Sequence, residues 1–304
     1  MTWFLIALTA TVFWAFANII DEFLVKRYAS GVHGSGGLVL FTCFIGVIMA
    51  ILIGIFTKGL LLIPFTDKLL LLITGGLTIG WIILYLYTLE IEDVSAVVPW
   101  FLTIPIFGYI LGYIFLGETL NVHQQIGSLI VIAGMSIILI DFSGQKKKFK
   151  WKPALYMLIA CFMVAISGVI FKYVTVENQF WVSSFWEYVG LGSLGILMYF
   201  FIPKYRHQFH SINKSGGKKI FFINTMSEVA SIGGNLLSNF AILLAPITMV
   251  YLVGSFQPAI VLILTLIGTR FAPHITKENL TNHVLIPKII AIVITIIGSI
   301  FLFI

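Results

Sequence analysis

Long apolar runs, broken by short polar connections, repeat along the whole chain. A helix rising about 1.5 Å per residue needs about 20 mostly apolar residues to cross a hydrocarbon layer of about 30 Å. Ten runs meet or approach that length: Trp3–Phe23, Gly37–Phe56, Leu69–Thr88, Ala96–Leu116, Ile126–Ile140, Pro153–Val174, Val182–Ile202, Ile220–Leu244, Thr248–Gly268 and Pro287–Phe303. The fifth is short, and its start extends back to Val122. The connections reach about 18 residues at most, which leaves no room for a soluble domain between spans. The pattern predicts an all-α polytopic membrane protein with ten transmembrane helices.

Polar residues inside these runs are not scattered. A polar side chain in lipid is costly unless it faces protein or water, so polar positions recurring at three- and four-residue steps mark the inward face of a helix. The eighth span carries Asn224, Glu228, Ser231, Asn235 and Ser238 or Asn239 at such steps. The first carries Thr11, Trp14, Asn18 and Asp21 or Glu22, and the third carries Thr74, Thr78, Trp81, Tyr85 and Thr88. Glu228 lies roughly 12 Å along its helix, well below the headgroups. There it is the candidate group for binding substrate or carrying a proton; the competing reading is interhelical hydrogen bonding to an asparagine.

Asp21 and Glu22 are helix neighbours diverging by about 100°, so one is expected to face the interior and the other a solvated edge. The mid-helix aromatics Trp14, Trp81, Tyr85, Trp100 and Tyr251 are candidates to stack on a ring or cage an amine. With Gln257 in the ninth span they complete the candidate site. Lys172 and Glu187 approach the same membrane face and form a candidate gate pair, with snorkelling of Lys172 to the interface as the alternative. Pro99, Pro105 and Pro258 interrupt the fourth and ninth spans. Gly75, Gly76, Gly80, Gly190, Gly192 and Gly195 permit close packing or hinging, packing being the default.

Composition agrees with lipid as the solvent: 60% of residues are hydrophobic, 10% are charged, and the mean hydropathy is +1.07. A water-facing surface normally needs about a quarter of charged residues. Of the 18 basic residues, fifteen flank the odd-numbered connections, and only Lys58, Lys68 and Lys172 fall on the other side. The positive-inside rule then places the odd connections in the cytoplasm and both termini outside, in a bacterial inner membrane. Ala15-Phe16-Ala17 has the spacing of a signal-peptide cleavage site, but no basic residue precedes it, and cleavage is not expected. Cys43 and Cys161 lie in apolar runs, where free cysteine acts as a small apolar residue, so neither a disulfide nor a metal site is expected. Six histidines lack ligand spacing, and no phosphate-binding loop or nucleophile constellation is present, so no cofactor and no catalytic residue is assigned.

The chain also repeats itself. Tyr87-Thr88-Leu89, Ile91, Val94-Ser95-Ala96-Val97 and Pro105 correspond, 153 residues on, to Phe240-Ala241-Ile242, Leu244, Ile247-Thr248-Met249-Val250 and Pro258. Trp14-Ala15-Phe16-Ala17-Asn18 matches Val164-Ala165-Ile166-Ser167-Gly168 at an offset of 150. Two five-helix units result, residues 1–145 and 146–304. Because each unit has an odd number of helices, the second enters the membrane from the opposite side, giving inverted repeats around a shared centre.

The segment Asp93-Val94-Ser95-Ala96-Val97-Val98-Pro99, Pro105, Gly117-Glu118-Thr119-Leu120, Gln125-Ile126-Gly127 and Ala133-Gly134 resembles the EamA-type repeat of the drug/metabolite transporter superfamily. In the second repeat Phe271 stands where Glu118 would recur, which favours a helix-capping role for Glu118. The resemblance implies a central cavity lined by spans 1, 3, 4, 6, 8 and 9, with 2 and 7 flexing and 5 and 10 peripheral. It also implies transport of amino acids, amines, nucleotide sugars, sugars or related metabolites.

The leading expectation is a secondary active transporter of a small polar metabolite (amino acid, amine or similar) working by alternating access, with proton coupling through Glu228. A nucleotide-sugar or lipid-linked-sugar carrier is the rival, and it would need basic residues in the cavity. An integral membrane enzyme or a flippase-associated subunit is the alternative from another class. Expected partners are the small-molecule substrate, membrane lipid and protons, without nucleic acid, for a monomer or homodimer.

Overall fold

The computed structural model describes residues 2–29, 34–92, 94–136, 151–176, 179–271, 286, 289–290, 293–294, 296–298 and 300–301. Among the described residues all regular structure is helical. Helix α1 (Thr2–Leu24) runs into a π-helical turn, Val25–Ala29, and is followed by α2 (Gly36–Phe56) and α3 (Phe65–Leu89). A short α4 (Val94–Val97), a 3-10 segment (Val98–Thr103) and α5 (Ile104–Leu116) then form one interrupted element. Next come α6 (Val122–Ser136), α7 (Trp151–Thr175), α8 (Phe180–Phe201), α9 (Pro203–Leu244), α10 (Ile247–Gly254) and α11 (Gln257–Phe271).

Six of these elements are long and apolar enough to cross a membrane: Thr2–Ala29, Gly36–Phe56, Phe65–Leu89, Val98–Leu116, Trp151–Thr175 and Ile247–Arg270. A seventh follows if Phe180–Phe201 is joined to Pro203–Lys214 across a bend of 97°. The difference from the expected ten has physical reasons. The eighth predicted span is helical, but its polar stripe dilutes its apolarity below that of a self-sufficient lipid-facing helix. The fifth is a short apolar helix, Val122–Gly134, and its predicted end at Ile140 lies outside the described residues. The tenth is described only in part, and Lys146–Lys148, Lys150, Lys277 and Lys288 lie outside the described residues too.

Prolines break the fourth and ninth spans where the sequence places them. Pro99 and Pro105 bracket the 3-10 segment, and Pro258 opens α11 just after the helical ladder lapses at Ser255 and Phe256. Each proline lacks an amide donor and crowds the preceding turn, so the helix restarts instead of running through. Helix α5 ends at Gly117, whose φ of 65° is left-handed, as a helix C-terminus commonly requires.

One predicted connection is helical instead. Residues 203–214 form an amphipathic helix that turns away from α8 by 97° and meets the rest of α9 at Gly217, where φ is 52° and ψ is −147°. Its buried face, Tyr205, Gln208 and Ile212, has helical spacing and lies against the glycines that open α2. A short helix carrying basic residues on its other side reads as a loop by hydropathy.

Helix α1 packs on α9, α3 on α7 and α8, α2 on α8 and α9, and α5 on α7 and α10, while α1 also meets α10 and α11. The pairings fall into couples that exchange under the 150-residue offset: α1 with α9 answers α7 with α3, α3 with α8 answers α9 with α2, and α5 with α7 answers α11 with α1. Where α3 crosses α8, the backbones touch. A methyl group at Gly75 would sit 2.3 Å from the Glu187 carbonyl oxygen, and one at Gly190 would sit 2.4 Å from that of Leu72. These glycines thus serve close packing. Large apolar side chains such as Ile51, Ile55, Ile114 and Phe115 are left exposed on the outside. The chain is an integral membrane protein, and those faces meet lipid.

Candidate functional site

A cavity of about 130 Å³ lies between the packed helices. Helix α1 contributes Trp14, Asn18 and Asp21, α3 contributes Thr78, Trp81 and Tyr85, and α9 contributes Asn224, Glu228, Ser231 and Asn235. Thr42 and Gly46 of α2, Phe101 and Ile104, Val164 of α7, Tyr188 of α8 and Gln257 of α11 complete much of the wall. The three- and four-residue stripes of the first, third and eighth spans therefore do converge. Of the twelve cavity candidates named from sequence, Glu228, Asn224, Asn235, Trp14, Asn18, Asp21, Trp81, Tyr85 and Gln257 line this chamber.

Its two carboxylates are each held by a hydroxyl. Thr42 donates to Glu228 Oε1 at 2.5 Å, and Ser227 donates to Asp21 Oδ1 at 2.6 Å. Glu228 is only 8% exposed. The Tyr85 hydroxyl donates to Asn18 Oδ1 at 3.0 Å, while Asn18 Nδ2 and the Tyr188 hydroxyl are buried without a hydrogen-bond partner. Also on the chamber wall, Trp81, Tyr85 and Phe101 touch one another with ring centroids 5.8 to 6.5 Å apart. No lysine, arginine or histidine is among the described residues lining the chamber.

Three expected site residues lie elsewhere. Asn239 faces α8 behind the chamber, where its Nδ2 donates to Glu187 Oε2 at 2.9 Å. Tyr251 fills the space beside Gly168 and Gly108, and its hydroxyl donates to the Val164 carbonyl at 3.3 Å. Trp100 stands outside the lining, and its carbonyl accepts from Cys161 and Thr103. For Trp100 the helical break, and for Tyr251 the small glycines beside it, put the side chain on a different face, whereas Asn239 is taken up by Glu187 on the neighbouring helix.

The expected pair of Lys172 with Glu187 is not formed. Lys172 meets Glu118 instead, at 2.5 Å, and donates to the Ala245 carbonyl at 2.7 Å. Glu118 Oε2 also accepts from the Ile247 amide at 2.7 Å, so it caps the start of α10, in keeping with the capping role expected of it. The other end of the bundle carries a related cluster. Glu22 Oε1 accepts from Lys26 Nζ at 2.8 Å and from the Val94 amide at 2.9 Å, capping the start of α4. Val94 and Ile247 are repeat counterparts, so each interrupted helix begins on a glutamate that also meets a lysine. Asp21 and Glu22 diverge as their adjacency requires, but Glu22 is 9% exposed and engaged, not at a solvated edge.

Thr42, Thr78, Ser227, Tyr188 and Phe101 were missed as site residues. Thr78 belongs to the third-span stripe, and Thr42 is an isolated hydroxyl in an otherwise apolar run, which is a weak signal. Ser227 and Phe101 have no periodic signal, because adjacent residues and a 3-10 register bring them in.

Residues 1–140 match the EamA-like transporter family, a family of membrane transporters. The amino-terminal part of this chain is thus similar to an EamA-like transporter unit, which is consistent with a member of the drug/metabolite transporter superfamily. A solved crystal structure, titled only as that of a protein, is similar with a TM-score of 0.61 over 99% of this chain and 96% of its own. The identity is 13%, so that likeness shows the fold alone. No curated protein matches the sequence.

Proposed function

We propose that the protein is a secondary active transporter that moves a small polar metabolite (amino acid, amine or similar) across the membrane by alternating access. Glu228 is the group that binds substrate or carries the coupled proton. The observation that carries this reading is the chamber, largely apolar, into which the polar side chains of Glu228, Asp21, Asn18 and Asn235 converge from helices of both halves. The exchanged couples of packed helices support two inverted five-helix units, residues 1–145 and 146–304, and the matched capping of α4 and α10 supports one gate at each end. A nucleotide-sugar cargo finds no support, since Lys172 is engaged by Glu118 away from the chamber. The basic connections favour a bacterial inner membrane with both termini outside.

Reconstitution into liposomes enclosing a pH-sensitive dye, with amino acids, amines and sugars offered in turn, tests the reading. One or more solutes should enter with proton movement, and Glu228→Gln should abolish the coupled signal. Uptake by the parent with an unchanged response in Glu228→Gln would remove Glu228 from the mechanism.

A further inference from the structure

We infer that the chamber selects an organic cation, an amine or quaternary ammonium with a neutral oxygen acceptor and no carboxylate, over amino-acid zwitterions and anions. This rests on the transporter reading and narrows it to a substrate class. Asp21 and Glu228 share one chamber, each with one oxygen held by a hydroxyl, and no basic side chain lines the described wall. The lysines of the two end clusters, Lys26 and Lys172, are engaged by Glu22 and Glu118. A buried carboxylate without a positive partner is costly, so the charge that settles here must come with the ligand or as a proton.

The aromatic part of the wall suits the same ligand. Trp81, Tyr85 and Phe101 form a continuous aromatic surface, and a cation is attracted to ring faces when desolvated. Asn18 Nδ2 has no hydrogen-bond partner, while the oxygen of the same amide accepts from the Tyr85 hydroxyl. Asn18, with the amides of Asn224, Asn235 and Gln257 on the same wall, can hold a neutral carbonyl or hydroxyl. Holding a carboxylate against two others in the same chamber would take a full positive charge. A water needs about 10–15 Å³ by the measure in which the cavity spans 130 Å³, so the space fits a ligand of about ten non-hydrogen atoms.

Two matched pairs of probes separate charge from shape: leucine with leucinamide, and glycine betaine with its amide. Within each pair the count of non-hydrogen atoms is the same, and the second pair carries a fixed positive charge. Titration calorimetry on the purified full-length protein should give each amide a Kd lower by about tenfold or more than its zwitterion. The double variant Asp21→Asn with Glu228→Gln, checked for an unchanged melting temperature, should lose that preference. Trp81→Leu, which leaves both carboxylates in place, should weaken amide binding. Equal or tighter binding of the zwitterions overturns the inference, as does failure of both amides to bind at millimolar concentration. Liposome flux keeps the two claims apart: zwitterion uptake without cation preference sinks this inference alone, and cation binding without flux of any solute sinks the transporter reading alone.

Discussion

Glu118→Gln tests the end cluster that holds α10. The substitution keeps an oxygen to accept from the Ile247 amide, so the helix cap survives and only the charge facing Lys172 is lost. The two side chains are 14% and 13% exposed, which puts the pair close to the buried limit and leaves little screening by water. Stranding one member of such a pair costs about 3–5 kcal/mol. At roughly 2 °C per kcal/mol for a chain of this size, the melting temperature should fall by about 6–10 °C. Lys172→Met is expected to cost about 1 kcal/mol less, because the stranded Glu118 still faces an amide at the start of a helix, where the dipole favours a negative charge. The double variant should be no worse than the milder single one, since neither charge is then buried alone. Melting curves of the four proteins in lipid nanodiscs measure the cycle. Additive losses, or single variants within about 1 °C of the parent, would refute the argument that this pair is buried and coupled.

Gly75→Ala and Gly190→Ala should each lower the melting temperature by several degrees, because the added methyl group meets backbone of the facing helix and overpacking costs about 1–3 kcal/mol. Gly233→Ala, with Phe13 no nearer than 3.8 Å, should be neutral in the same assay. Asn239→Leu removes a donor from buried Glu187 and should destabilise by about 1.5–3 kcal/mol, whereas the conservative Asn239→Gln should recover part of that loss.

The sequence made the inward faces legible wherever a polar stripe ran along an unbroken helix. Glu228, Asn224, Asn235, Asn18, Asp21, Trp81 and Tyr85 all follow from three- and four-residue steps, since an uninterrupted helix keeps a constant register. Prediction failed where register was lost or where two elements had to be matched. Trp100 sits in a 3-10 segment whose rotation per residue differs from that of an α-helix. Tyr251 is drawn toward Gly168 on another helix, and the partner of Lys172 depends on how the loop after α5 meets α10. The amphipathic start of α9 escaped because hydropathy measures length and apolarity, not the side on which apolar residues fall. The internal repeat was read from the sequence, and the swapped packing of helices is in keeping with it.

Access to the chamber from both membrane faces is the point on which the functional reading turns. With Cys43 and Cys161 replaced by alanine, a single cysteine at Ser231, which lines the chamber on α9, can be challenged with a membrane-impermeant thiol reagent. Alternating access predicts labelling in right-side-out and in inside-out vesicles alike, with protection by a transported solute. Labelling from one face only under every condition, or only by a lipid-soluble reagent, would contradict it.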